Sequence, residues 1–208
     1  MEPFTQLTAV AAPLDIAKID TGMIVPGRFQ RIHRRPGHAD FANAFLHDLR
    51  FDEYDQPRPD FVLNQPPYKD ARILVTAADF GCGSSRESAA YAVLDYGFRA
   101  LIGPGFGDVF YGNCMQNGVL PVVLADQAVQ ALRRQLIDAP GANVTVDLPN
   151  QTVTAPDGTR YAFDIDPTRK QRLINGLDDV GVTLTHLPDI EAFEARYRAE
   201  MPWLATII

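Results

Sequence analysis

Between residues 73 and 138, short apolar runs alternate with stretches of helical periodicity, and few folds accept that order. Residues 73–77, 99–102 and 119–124 are short and almost wholly apolar, which suits buried strands better than surface helices. Between them, residues 85–96 carry Ala89, Ala90, Val93 and Leu94 at helical spacing, closed by Gly97 at the expected C-cap. Residues 107–117 read as a short helix. Residues 126–138 form an amphipathic one that Pro140-Gly141 ends. Strands that alternate with helices in this way call for an α/β core.

The flanks extend that core. Residues 7–16 read as a first strand leading to the Asp20-Thr21-Gly22 turn. Residues 144–148, 151–155 and 161–165 alternate apolar and polar positions around an Asp157-Gly158 turn, the pattern of antiparallel strands. Residues 168–173 and 190–200 are helical, and Trp203, Leu204, Ile207 and Ile208 form an apolar tail suited to docking on the core or on another subunit. From about 28 to 67 the texture is irregular, with arginines, histidines, aromatics and prolines and only one helical stretch, at 39–49; such a segment is usually functional or mobile. The expectation is a single α/β domain over residues 1–208, with an appended antiparallel β section and C-terminal helices.

Composition narrows the function. With 19 basic against 26 acidic residues, the net charge is −7, and the chain lacks the basic excess that phosphate neutralisation requires. Hydrophobic residues make up 46%, enough for an ordinary core. The two cysteines, Cys82 and Cys114, stand far apart, which argues against a secreted disulfide scaffold and for the cytoplasm. Pro13 and Asp15 interrupt the apolar N-terminal stretch, which has no basic start and so does not read as a signal peptide. No run approaches the ~18–20 apolar residues of a membrane span.

The chemistry concentrates in Asp79-Phe80-Gly81-Cys82-Gly83-Ser84-Ser85-Arg86-Glu87, between a strand and a helix. Glycines let the backbone turn tightly and approach a ligand. A helix start offers unpaired N–H groups and a positive dipole end. Arg86 can hold a carboxylate in a bidentate contact while a serine reaches its α-carbon. A second reading needs no ligand: Ser84-x-x-Glu87 matches a capping box, in which Ser84 would bond the helix backbone. Cys82 reads as a small buried thiol.

The Gly83-Ser84-Ser85-Arg86-Glu87 loop resembles that of the swivelling β/β/α domain of the aconitase superfamily. Further matches are similar to the bacterial small-subunit family of 3-isopropylmalate dehydratases. They are Asp20-Thr21-x-x-Ile24-x-Pro26, Asp60-Phe61-Val62-Leu63-Asn64, Tyr96-Gly97-Phe98, Phe106-x-Asp108-x-Phe110-x-Gly112-Asn113, Leu120-Pro121 and Asn175-Gly176-Leu177-Asp178. They occur in order along nearly the whole chain.

The resemblance implies a hydro-lyase of two subunits that moves a hydroxyl between adjacent carbons through an alkene, here in leucine biosynthesis. A [4Fe–4S] cluster, with an open iron acting as Lewis acid, is expected in the large subunit and no cofactor in this chain. By the same resemblance Ser84 is the base, as alkoxide, and Arg86 binds a substrate carboxylate. Ser85, Gly83, Asp20, Thr21 and Arg28 belong to the substrate-binding set. An unassisted serine is far too weak a base for that proton, so dense positive potential is required. Two cysteines cannot supply the three thiolates of such a cluster.

Two positions depart from the family pattern. Gly22 stands where relatives carry an aspartate, and Ser88 where they carry a histidine. These keep open a hydro-lyase for another substituted malate, of citraconate or homoaconitate type, or a relative with drifted activity, or a non-catalytic partner subunit. Arg28, Arg34 and Arg35 precede the irregular segment, and a solvated loop face suits each better than a substrate contact. Asp20 fits a turn that bonds its own backbone as well as a site. His33, His38 and His47 lack metal spacing. Gly103-Pro-Gly105-Phe-Gly107 superficially suggests a dinucleotide loop, but Asp108 stands where the last glycine of that fingerprint belongs.

Overall fold

The computed structural model describes residues 1–35 and 37–203. Among these the strands are β1 (Gln6–Leu14), β2 (Ile73–Thr76), β3 (Ala100–Gly103), β4 (Leu120–Val123), β5 (Asn143–Asp147), β6 (Thr152–Thr154) and β7 (Arg160–Ala162). The α-helices are α1 (Thr21–Ile24), α2 (His47–Arg50), α3 (Glu87–Tyr96), α4 (Asp108–Gln116), α5 (Asp126–Asp138), α6 (Pro167–Asn175), α7 (Asp179–Leu184) and α8 (Leu187–Glu200). All seven strands lie in one sheet, in the order β4-β3-β2-β1-β5-β6-β7.

The appended antiparallel section expected from sequence is therefore continuous with the α/β core, and β1 is the join. Its second half, Ala11–Leu14, runs parallel to β2, while Gln6–Val10 runs antiparallel to β5. β2, β3 and β1's second half are buried on both faces, as a parallel sheet under helices demands. Their side chains alternate between two cores. Ala12, Leu14, Leu74 and Leu101 face a cluster with Ala89, Val93 and Phe98 on the α3 side. Ala11, Ile73, Val75, Ala100 and Ile102 face Val129, Leu132 and Leu136 of α5.

The segment at 28–67 is irregular in backbone, and part of it packs into the core while residues 53–60 are exposed. Phe41, Phe45, Leu46, Leu63 and Tyr68 are buried in the α3-side core. Phe45 meets Tyr96 and Phe98 at ring distances of 5.0 and 5.7 Å. The predicted helix at 39–49 shrinks to the single turn α2, preceded by turns. Arg50 replaces regular backbone bonding there, donating to the carbonyls of Ala42 and Phe45 and lying over the Tyr96 ring. Burial pushes its pKa down.

At the other end α7 and α8 bury no residue. Of the apolar tail, Trp203 is exposed, and Leu204, Ile207 and Ile208 lie outside the described residues. Among the described residues no helix is long and apolar enough to cross a membrane.

Candidate active site

Beyond the carboxyl ends of β1, β2 and β3 the chain continues as three neighbouring loops that keep the sheet's order. Single parallel bridges join Phe80 to Phe106 and Asp20 to Cys82. Gly81 N–H donates to Ile19 at 2.7 Å, Thr21 N–H to Cys82 at 3.0 Å, and Gly107 N–H to Phe80 at 3.0 Å. The serine-bearing loop is thus sandwiched between two others at the sheet edge where open α/β sheets bind ligands.

Backbone clearance holds it there. Asp79, Gly81 and Gly83 have φ of +60°, +75° and +90°, so the loop turns left-handed at every second residue. A Cβ on Gly81 would stand 2.2 Å from the Phe110 ring. A Cβ on Gly107 would stand 2.2 Å from the Gly81 carbonyl oxygen, and one on Gly103 2.4 Å from the Thr76 hydroxyl. Of the glycines that suggested a dinucleotide loop, Gly107 thus serves close packing against the serine loop, and Gly103 against Thr76 of β2.

The capping-box expectation is wrong. Helix α3 begins at Glu87 with Arg86 at its N-cap, and no side chain caps it. Ser84 lies too early to reach the helix backbone. Its hydroxyl lies instead 3.2 Å from the Thr21 hydroxyl, which also donates to the Ser84 carbonyl at 2.9 Å. Thr21 is 1% exposed, whereas Gly83, Ser84 and Ser85 are exposed.

Asp20 caps α1, its Oδ1 accepting from Gly22 N–H at 2.7 Å and Met23 N–H at 2.8 Å. Arg86 is half-buried, and among the described residues it forms no ion pair. Its Nη1 lies 3.3 Å from where a Cβ of residue 22 would stand. Asp20, Thr21, Gly83, Ser84 and Arg86 thus lie around one open corner, with Ser85 between the last two in sequence, beside the positive end of a ten-residue helix.

Other candidates are engaged elsewhere. Arg28 is ion-paired to Asp48, with Nη2 2.9 Å from His47 Nδ1, and the Asp48 contact raises the arginine's pKa and lowers the carboxylate's. Arg34 contacts Asp95 at 3.4 Å over the Tyr91 ring, and Arg35 pairs with Asp40. His47 is buried between Phe29 and Phe51, while His33 and His38 are exposed.

Two neighbours of the site escaped sequence reasoning. Gln30 accepts from the Ser88 hydroxyl at 3.0 Å, and Asn117 donates to Glu87 at 3.2 Å, so both steady the first turn of α3. Neither belongs to a motif, and their pairing is visible only in three dimensions. Cys82 is half-buried rather than buried, and Cys114 is fully buried, its thiol pushed up by burial. Among the described residues no group of three His, Cys, Asp or Glu side chains could hold a metal. The described residues include two cysteines, Cys82 and Cys114, fewer than the three thiolates that such a cluster takes.

The mixed α/β sheet that carries this corner is an aconitase-type domain by its similarity to known families. The family model for the aconitase C-terminal domain matches residues 1–127. A LeuD_N segment matches residues 130–167, and the C-terminal domain of the 3-isopropylmalate dehydratase small subunit matches residues 179–207. The chain belongs to the 3-isopropylmalate dehydratase small-subunit family. It is 47% identical over 204 residues to the 3-isopropylmalate dehydratase small subunit of Dinoroseobacter shibae, covering 98% of this chain and 100% of that one. It is 48% identical over 206 residues to that of Phenylobacterium zucineum, covering 98% of each. The crystal structure of a 3-isopropylmalate dehydratase from Methanocaldococcus jannaschii superposes with a TM-score of 0.63, covering 92% of this chain and 99% of that one. At 20% identity that likeness concerns the fold.

Proposed function

We propose that the chain is the small, closing subunit of a 3-isopropylmalate dehydratase, interconverting 2- and 3-isopropylmalate by dehydration and rehydration together with a large subunit. The small-subunit relatives, matched over almost their whole length, support that reading. The observation that carries it is the open corner itself, where a rigid loop presents the exposed Ser84, two residues before an Arg86 that pairs with no carboxylate among the described residues. Such an arrangement is half a site, complete only when another surface covers it. The iron–sulfur cluster is assigned to the large subunit on the family resemblance, and the cytoplasm is the compartment that suits this chemistry.

In this reading Arg86 takes a substrate carboxylate, with the exposed amides near Gly83 and the Ser85 hydroxyl assisting. Ser84 Oγ removes the proton beside that carboxylate during dehydration and returns it during hydration. Arg86 and the α3 dipole supply positive potential at that oxygen. Glu87 in the first turn of α3 opposes part of it.

The test is reconstitution with the large subunit. Ser84→Ala is expected to abolish turnover while the two chains still co-elute. Arg86→Lys keeps the charge but loses the planar fork, and should weaken substrate by ~1.5–3 kcal/mol, read as a rise in KM. Hydration rates with isopropylmaleate and citraconate fix the substrate. Full activity in both variants would remove Ser84 and Arg86 from the reaction.

A further inference from the structure

The contact between Thr21 and Ser84 sets a condition on how Ser84 can act. A hydroxyl has one proton to donate and two lone pairs to accept with. Thr21 donates its proton to the Ser84 carbonyl, 2.9 Å away. The 3.2 Å contact between the two hydroxyl oxygens must then be filled by the proton of Ser84, with Thr21 as acceptor. In this resting arrangement the Ser84 proton points at a buried side chain. Removing that proton would leave the negative Ser84 oxygen facing the lone pairs of Thr21.

We propose that Thr21 is a positioning residue that reverses its hydrogen bond when Ser84 ionises, turning its hydroxyl proton from the Ser84 carbonyl to Ser84 Oγ. No covalent bond changes at Thr21: only the direction of its O–H does. The Thr21 main chain is fixed by its N–H bond to Cys82 and by the Val25 N–H bond to its carbonyl, so the oxygen stays in place while the hydrogen swings. Ser84 is an exposed residue, so the released carbonyl is not sealed inside the core. A neutral pair becomes a charge-assisted one in the state that needs stabilising. Thr21 itself is too buried to act as a substrate ligand. The charged groups on the elements that carry this pair are Asp20, which caps α1, and Arg86 and Glu87 at the start of α3, with Glu87 turned to Asn117. They are unchanged in the variants below.

This inference rests on the role of Ser84 proposed above, and the experiment separates the two. Thr21→Val keeps the shape and removes the hydroxyl, and Thr21→Ser restores it. Both are assayed in the reconstituted two-subunit enzyme beside Ser84→Ala, with thermal melting to confirm folding. Thr21→Val is expected to lower kcat by roughly ten- to a hundredfold with KM within about threefold, and to move the acid limb of the kcat–pH profile to higher pH. Thr21→Ser should return both to near the parent values. A Thr21→Val enzyme with parental kcat and pH profile overturns the inference, as does equal impairment of Val and Ser variants or a change confined to KM. Activity remaining in Ser84→Ala would instead overturn the role of Ser84.

Discussion

The serine corner and the C-terminal helices stand at opposite ends of how a chain fixes its own shape. At the corner nearly every backbone position is dictated, by three left-handed turns, two interloop bridges and glycines with no room for a methyl group. Helices α7 and α8 bury nothing and expose Val180, Leu184, Leu187, Phe193, Tyr197 and Met201. They are tied to the domain at their root, where Asp179 meets Arg172 at 2.6 Å and Gln116 at 3.1 Å. Along α8 the contacts are internal, a Phe193–Tyr197 stack at 5.6 Å and an Arg198–Glu194 pair at 2.9 Å. A helix of that length has little stability of its own in water. The contrast teaches that exposure alone does not mark a site. The corner is exposed because its chemistry must be reached, and it is rigid because its geometry must be kept.

Substitutions at the corner and at the helices should therefore differ in cost, the corner by far the greater. Gly81→Ala combines a left-handed conformation with a clash against Phe110, and Gly107→Ala a clash with the Gly81 carbonyl. Each is expected to destabilise by ~2–5 kcal/mol in urea titrations, Gly81→Ala more than Gly107→Ala because it alone adds backbone strain. Near-parental midpoints for both would show that the loops are freer than their spacing implies. Ending the chain after Asp178 should cost far less, ~1 kcal/mol or a fall in Tm of ~2–4 °C, since it removes ion pairs at the surface and no core. A collapse of the remaining domain would give the C-terminal helices a share in the fold. The mildest probe is chemical: a thiol reagent at neutral pH should label half-buried Cys82 and spare Cys114 until denaturant is added, one adduct and then two by mass spectrometry.

Much of the fold was legible because its signals are local. The apolar runs at 73–77 and 99–102 are strands buried on both faces, and Gly97 ends α3 with φ of +118°, as a C-cap glycine should. The Asp157-Gly158 turn lies between β6 and β7. The errors all concern partners distant in sequence. Ser84 resembles an N-cap, but its hydroxyl meets Thr21, 63 positions away. Gly103 and Gly107 look like a phosphate loop, yet one makes room for Thr76 of β2 and the other for the Gly81 carbonyl. The irregular segment looks loose because its aromatics have no period, and only the fold reveals that Phe45 and Leu63 face the sheet. Arg28 stands out in the sequence for its charge, which Asp48 already answers.

The position of β1 has a consequence for synthesis. It is made before both of its partners, β2 and β5, and sits between them in the middle of the sheet. At ordinary elongation rates the antiparallel partner follows on the order of ten seconds behind. Until β5 arrives, the edge of β1 at Gln6–Val10 stays unpaired, open to any passing chain. Lengthening the interval by insertions before Asn143 should lower the yield of native protein even where the finished fold tolerates them.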